Sequence, residues 1–339
     1  MSARRPGTVL AVGLAATLVA LLLSLGIGVI HVPFGDVGRV LLGAVTGAGD
    51  TGDLQRTLVL EMRLPRAVGA LAVGAALGAA GCMLQALLRD ALASPTIIGT
   101  AQASGFGRVL GVFLGFSYHG SVALSFAMAV IGTLIVLAIS RSRRGFPAQT
   151  VLLTGVNVGM LFAALIGLVQ YLSRDEGQLS RMVLMLLGGL WQVTWEPLRL
   201  IAPVIAVVVA AALLLGRHLD LLALGEQDAR RLGLHTRSVG MVVLLLSCLL
   251  TSLAVSIAGV IAFVGLVVPH AARRLVGPVH GVLLPASALL GGLMVLATDC
   301  IARTAAPPSE LPLGVLTSLI GVPCFLVVMR SMARRETAL

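Results

Sequence analysis

Few side chains in this sequence could take part in chemistry. All 24 basic residues among its 339 are arginines, which excludes a Schiff base and a lysine-containing phosphate loop. The four cysteines stand inside apolar runs, without CxxC spacing or a neighbouring histidine, and such thiols ordinarily serve packing. We therefore expect no catalytic residue and no metal site in this chain.

Some charged residues lie inside apolar segments. Asp299 and Arg303 are four residues apart, a spacing that predicts an ion pair on one face of a helix. Arg108 stands alone in an apolar run, where it either snorkels, pairs with a neighbour or lines a substrate path. His270 follows an apolar run, and we interpret it as structural rather than as a metal ligand.

The most informative polar segment is Leu222–Gly233. Glu226 and Asp228 come first, Arg230 and Arg231 follow, and Gly233 comes directly after Leu232. This order complements the dipole of a short helix, allows a Glu226–Arg230 pair, and makes Gly233 a left-handed C-cap. Such a helix is either an ordinary interfacial loop helix or a docking surface for a soluble motor.

The composition predicts a membrane protein. Hydrophobic residues make up 58% of the chain, charged residues only 11%, and the mean hydropathy is +1.04, whereas soluble domains are about one quarter charged. We predict an all-α polytopic membrane protein, a single domain over residues 1–339, with about ten transmembrane helices. The predicted spans are 8–30, 67–88, 95–116, 119–140, 150–172, 198–216, 238–257, 258–270, 280–302 and 312–329.

Several finer features follow from the same sequence. The first span is interpreted as retained, because it is longer than the apolar part of a signal peptide. The short eighth span directly follows Gly259 and predicts a broken or re-entrant element. Residues Met182 to Trp195 predict an interfacial helix. Close helix packing is expected at three GxxxG motifs, which are Gly74/Gly78, Gly111/Gly115 and Gly155/Gly159.

Several sequence blocks together resemble one known family. They are Arg63-Leu-Pro-Arg66, Gly74 to Gly78 with Gln85, Leu92-Ala-Ser-Pro95 with Gly99, Leu152-Leu-Thr-Gly155, Leu222–Gly233, Phe263 to His270 with Arg273, and Glu310 to Gly314 with Gly321-Val-Pro323. In this order they resemble the FecCD-like permease subunits of type II ATP-binding-cassette (ABC) importers for iron-siderophore, haem and cobalamin.

The resemblance implies a particular assembly. Two permease subunits, identical or related, would surround one path, with two ABC ATPases below and an extracytoplasmic binding protein above. No nucleic acid would bind, this chain would hold no cofactor, and MgATP would act on the partner ATPase. The residues that match the family's ATPase-coupling region are Gly225, Glu226, Asp228, Ala229, Arg230, Arg231, Leu232 and Gly233, within a loop of about 218–237.

The resemblance also assigns a role to Arg63, Arg66 and Arg303. They match outward-facing arginines that pair with acids on the binding protein, although anchoring of helix ends is an alternative. The resemblance implies a multi-pass protein of the bacterial cytoplasmic (inner) membrane, and arginine placement predicts that both termini are cytoplasmic. The chain departs from the family pattern at Asp90-Ala91, Met185, Val260 to Ala262 and Gly277 to Gly281, which weakens any transfer of substrate.

The expected function is transport without catalysis. The chain would be the non-enzymatic permease subunit of an ATP-driven importer, with a ferric siderophore as the first choice of substrate and haem or cobalamin as further choices. The alternative is an ion-coupled secondary transporter of a small solute. It is disfavoured because no carboxylate stands near the middle of a predicted span.

Overall fold

The computed structural model describes residues 6–46, 53–140, 147–173, 175–307 and 309–336. In the first part of the chain the helices are α1 (Pro6–Gly26), α2 (Phe34–Thr46), α3 (Asp53–Arg56), a π-helical segment (Thr57–Arg63), α4 (Leu64–Leu88), α5 (Thr100–Phe113), α6 (Tyr118–Ser140) and α7 (Ala148–Leu172). The remaining helices are α8 (Glu176–Leu187), α9 (Trp195–Leu214), α10 (Gly216–Leu224), α11 (Glu226–Arg231), α12 (Thr236–Ala258), α13 (Val264–Val276), α14 (His280–Thr304) and α15 (Leu313–Glu336).

The predicted all-α class is confirmed, since the described ranges contain helices and turns without a strand. A helix occupies each of the ten predicted spans. Among the described residues, seven helices, counting α4 together with its N-terminal extension, are long and apolar enough to cross a membrane. The third predicted span was too long, because α5 begins only at Thr100 after a turn. Some of the arginines on which the predicted orientation depends lie outside the described residues. They are Arg4, Arg5, Arg141, Arg143, Arg144 and Arg174.

The predicted break after the seventh span is confirmed. Helix α12 ends at Ala258, and Gly259 takes a φ of +67° that a side chain would rarely adopt. Phe263, with a φ of +66°, then precedes the 13-residue helix α13. At about 1.5 Å per residue, α13 is too short to cross a bilayer alone.

The interfacial helix predicted at Met182 to Trp195 was placed too late in the chain. The structure has α8 at Glu176–Leu187 instead. Asp175 starts this helix, because its carboxylate accepts hydrogen bonds of 3.1 Å from the amides of Gly177 and Gln178. Trp191 lies in the following turn and Trp195 opens α9. The N-cap residue, rather than the tryptophans, was the local signal for this helix.

Glycines bring α4 and α14 into close, antiparallel contact. A Cβ atom on Gly74 would lie 2.1 Å from the carbonyl oxygen of Gly291, and one on Gly78 would lie 2.3 Å from that of Ser287. Both distances are shorter than a van der Waals contact, so only glycine fits at these positions. The packing role predicted for Gly74 and Gly78 is therefore confirmed.

The other two GxxxG motifs have different outcomes. Gly155 and Gly159 of α7 pack against the Cα atoms of Ile98 and Gly99, at 2.7 and 3.4 Å from their ideal Cβ positions, as predicted. Gly111 packs against α6, but Gly115 has no atom within 4 Å of its ideal Cβ position and takes a φ of +72° in the turn after α5. In this motif only Gly111 has the predicted packing role, and Gly115 allows the turn.

Candidate functional site

The predicted coupling loop is a pair of short helices between α9 and α12. Helix α10 belongs to the bundle, since Leu219 and Leu222 are buried in its core. Gly225 separates it from α11. A Cβ atom on Gly225 would lie 3.2 Å from Nη1 of Arg89, the C-cap residue that follows α4. Helix α11 therefore lies at the C-terminal end of α4.

The acid and arginine pattern of α11 forms the ion pairs expected of a short helix. The predicted pair joins Arg230 Nη2 to Glu226 Oε1 at 2.7 Å, and Arg231 Nη1 meets Asp228 Oδ1 at 3.3 Å. Exposed pairs of this kind contribute roughly 0–1 kcal/mol each. Their main effect is to complement the helix dipole and to orient four charges on one surface.

The predicted C-cap of α11 is confirmed. Gly233 takes a φ of +85°, which is accessible to glycine without steric cost. Its amide donates to the Arg230 carbonyl at 2.9 Å, and the Leu234 amide donates to the Ala229 carbonyl at 2.9 Å. These two bonds form a Schellman motif. They end α11 sharply and turn the chain back toward α12.

One side of α11 is anchored and the other is open. Ala229 is completely buried and Thr236 Oγ1 accepts a 3.1 Å hydrogen bond from Arg230 Nε. The side chains of Gln227, Asp228, Arg231 and Leu232 are exposed, and Leu232 is 60% exposed. This arrangement presents a small, rigid surface with charges of both signs and one apolar residue, which suits contact with a protein.

A cluster of charged residues lies at the opposite end of α4. Arg66 donates from Nε to Asp299 Oδ1 at 2.8 Å, and it makes two parallel hydrogen bonds of 2.9 and 2.8 Å to the carboxylate of Glu310. The predicted pair within α14 is confirmed, with Arg303 Nε 3.1 Å from Asp299 Oδ2. Asp299 is completely buried, so its charge is compensated by two guanidinium groups.

The cluster also contacts the C-terminal end of α1. Arg63 donates from Nη1 to the carbonyl of Leu25 at 2.6 Å and from Nη2 to that of Ile30, and Arg303 Nη2 lies 3.4 Å from the carbonyl oxygen of Ser24. The last carbonyls of a helix have no partner within the helix and carry partial negative charge. The two guanidinium groups therefore stabilise the C-terminal end of α1.

The structure brings Arg63, Arg66 and Arg303 together but does not present them outward. Their exposed fractions are only 5% to 8% in this chain. Buried carboxylates and helix-end carbonyls hold the three guanidinium groups, and their predicted pairing with acids on a binding protein stays a prediction. The sequence argument missed Glu310 as a partner, although it belongs to a quoted block; nothing local indicates that it meets a residue 244 positions earlier.

A cavity of about 260 Å³ adjoins this cluster. All three arginines and Glu310 line it, together with Glu61 and the indole of Trp191 among other residues. The cavity is the part of the cluster that another molecule could reach. A partner that binds at this end would contact arginines that are already paired with carboxylates or carbonyl groups of this chain.

Arg108 pairs with an aromatic ring. Its Cζ atom lies 4.4 Å from the ring centroid of Tyr118, and its Nη1 donates a long 3.4 Å hydrogen bond to the Tyr118 carbonyl. The side chain is only 6% exposed. Of the predicted roles, pairing is the one that the structure supports, with a cation–π contact instead of a carboxylate.

Within the described ranges, no group of three or more His, Cys, Asp or Glu side chains could hold a metal ion. The four cysteines are free thiols, two of them buried. His270 lies within α13 beside Pro269, and its Nε2 atom is buried without a hydrogen-bond partner in the structure.

The described helices form an apolar bundle with several helices long enough to cross a membrane, which defines a polytopic membrane protein. The FecCD transport family matches residues 16–331. The molybdate import system permease protein MolB of Haemophilus influenzae is 34% identical over 92% of both chains. The hemin transport system permease protein HmuU of Yersinia pestis is 38% identical, over 84% of this chain and 87% of its own.

A solved structure agrees with these relatives. An inward-facing metal-chelate type ABC transporter matches with a TM-score of 0.85 and 31% identity, over 96% of this chain and 99% of that one. The chain belongs to the FecCD transport family. It is accordingly a multi-span membrane permease of the type II ABC importer class.

Proposed function

We propose that this chain imports an iron chelate as the permease subunit of an ATP-driven transporter. It acts as one permease domain with a second permease subunit, two ABC ATPases that bind MgATP, and an extracytoplasmic binding protein. It lies in the bacterial cytoplasmic membrane with both termini inside. ATP hydrolysis belongs to the ATPase, and the chain itself has no catalytic role.

The observation that carries this proposal is the geometry of α11. A six-residue helix is too short to persist alone in water, yet ion pairs, a Schellman motif and the buried Ala229 hold it in place. Its exposed side presents Asp228, Arg231 and Leu232. A rigid protrusion of this kind suits a cleft on a moving partner, because the helix can follow the movement of the partner without bending.

The buried carboxylate at the other end does not support the secondary-transporter alternative. An ion-coupled carrier needs a carboxylate that gains and loses a cation or proton during transport. Asp299 contacts Arg66 at 2.8 Å and Arg303 at 3.1 Å, so two guanidinium groups already occupy the carboxylate that a coupling ion would need. The residue therefore suits a structural role.

The choice of an iron chelate is supported by the relatives. One is named for hemin and the matching solved structure is described as a metal-chelate transporter, whereas another relative is named for molybdate. We propose a ferric siderophore first and haem or cobalamin next. The binding protein would dock over the cavity beside Arg63, Arg66 and Arg303, where charge complementarity would set orientation and association rate.

Uptake should depend on the ATPase. In cells that express the assembled importer, uptake of radiolabelled ferric hydroxamate, ferric citrate, hemin, cobalamin and molybdate can be compared with the parent ATPase and with a variant that lacks its phosphate-loop lysine. We expect uptake of an iron chelate that disappears with the inactive ATPase. Uptake that persists with the inactive ATPase and stops with a protonophore would establish the secondary transporter instead.

Cysteine labelling should reveal the orientation. In a background with Cys300 and Cys324 replaced by serine, Gln227→Cys on α11 should react with a membrane-impermeant maleimide only after the cells are opened. Glu176→Cys on α8 should react on intact cells. Both side chains are exposed, so access rather than burial decides the result. Labelling of residue 227 on intact cells would contradict both the topology and docking to a cytoplasmic ATPase.

A further inference from the structure

A carboxylate on α10 contacts the first residue of α14. Oδ1 of Asp220 accepts a 2.8 Å hydrogen bond from the backbone amide of His280 and lies 2.7 Å from Nδ1 of the same residue. A carboxylate only accepts hydrogen bonds, so Nδ1 of His280 carries the proton in this contact. His280 opens α14, and the adjacent N-cap residue, Val279, offers no side-chain cap.

Asp220 therefore caps α14 from a different helix. The first amides of a helix have no partner within it and carry partial positive charge, which makes a carboxylate the favoured partner. The contact is shielded on one side, because His280 is only 4% exposed. It is reinforced one turn earlier, where a Cβ atom on Gly216 would lie 3.1 Å from the Cα of Gly281.

This cap lies directly behind the exposed helix α11. Asp220 belongs to α10, and the buried Leu219 and Leu222 fix α10 against the bundle. Only Gly225 separates α10 from α11. A displacement of α11 therefore reaches the first residue of α14 through a short, well-packed element.

Helix α14 continues this connection to the other end of the molecule. Its 25 residues correspond to a length of about 37 Å at roughly 1.5 Å per residue. Near its far end, Asp299 and Arg303 belong to the charged cluster beside the 260 Å³ cavity. Between the ends, the close approach of Gly291 to Gly74 packs α14 against α4.

We propose that Asp220 is the positioning residue through which α11 and α14 move as one unit, so that α14 links the ATPase side to the binding-protein side. This inference rests on the proposed function. Without the Asp220 cap, α11 would still contact the ATPase, but its movement would no longer be transmitted to α14. The expected defect is loss of coupling rather than loss of assembly.

The test compares Asp220→Ala, Asp220→Asn and His218→Ala in the complete importer in proteoliposomes. His218 lies on the exposed side of α10 and serves as the matched control. The readouts are the ATPase retained per permease and the ratio of ATP hydrolysis with and without the binding protein loaded with ferric hydroxamate. This ratio is insensitive to the amount of folded protein, because inactive complexes contribute to neither measurement.

With Asp220→Ala we expect a full complement of ATPase and at least about a fivefold loss of the stimulation ratio, at the lower end of typical coupling between sites. Asp220→Asn should recover part of it, since its carboxamide oxygen still accepts the His280 amide. His218→Ala should match the parent.

Three outcomes would overturn the inference: an unchanged ratio in Asp220→Ala, a loss equally large in His218→Ala, or loss of the ATPase from the Asp220→Ala complex. The last would show that Asp220 supports docking instead of transmission. If the parent complex itself shows no ATPase binding and no stimulation, the proposed function fails, and that result differs from all three.

Discussion

Replacing Arg230 and Arg231 by glutamate should abolish transport while leaving the chain in the membrane. The substitutions place four acids on α11, turn the ion pairs with Glu226 and Asp228 into repulsions, and make the surface proposed to meet the ATPase uniformly negative. Like charges across an interface cost several kcal/mol, and about 1.4 kcal/mol corresponds to a factor of ten. Retained ATPase and chelate uptake should therefore fall by roughly a hundredfold.

A charge-swapped variant separates folding of α11 from docking. Changing Glu226 and Asp228 to arginine as well restores both ion pairs with inverted signs, although it opposes the helix dipole. We expect this fourfold variant to remain defective, because the partner still meets the wrong charges. Recovery of uptake would mean that only the internal pairs matter. Normal uptake in the double variant would remove α11 from the mechanism.

The second large effect concerns stability. Asp299→Asn keeps the shape of a completely buried side chain but removes its charge, so that Arg303 loses its carboxylate partner and Arg66 retains only Glu310. Removing one member of a buried ionic group typically costs about 3–5 kcal/mol. The thermal unfolding midpoint of the purified chain in detergent should fall clearly, and less protein should accumulate in the membrane.

The matched control is Asp228→Asn, which breaks the ion pair with Arg231 on α11, exposed at both ends. A pair of this type contributes under about 1 kcal/mol, so the unfolding midpoint should barely change. Equal midpoints for Asp299→Asn and the parent would mean that the cluster adds no net stability. In that case contact with the binding protein, rather than stabilisation of the fold, would be the role of the three arginines.

The helices themselves could be predicted from sequence, because the signals that form them are local. A run of about 20 apolar residues suffices to define a span, and each of the ten predicted runs contains a helix. The same holds for α11, because each of its ion pairs and cap hydrogen bonds joins two residues at most five positions apart. The break at Gly259 was also local, since it followed from a short run after a glycine.

Where the local signal was weaker, the prediction failed. No helix is predicted for residues 34–46, between the first two spans, but they form α2. An amphipathic segment of 13 residues is too short for a span and gains its stability from packing. The helix expected at Met182 to Trp195 begins at Glu176, where Asp175 supplies the cap. Aromatic residues indicated membrane depth but not secondary structure.

The sequence by itself determined the class of the protein, its spans and helix α11, through apolar runs, caps and i,i+4 pairs. Only the tertiary structure decided which charges meet. Arg66 reaches Asp299 across 233 positions, and Asp220 reaches His280 across 60. The physical reason is that a charge inside a bundle must find a partner, and helix packing determines which distant residue comes within reach. That packing gathers Arg63, Arg66 and Arg303 into a buried cluster that joins the ends of α1, α4 and α14.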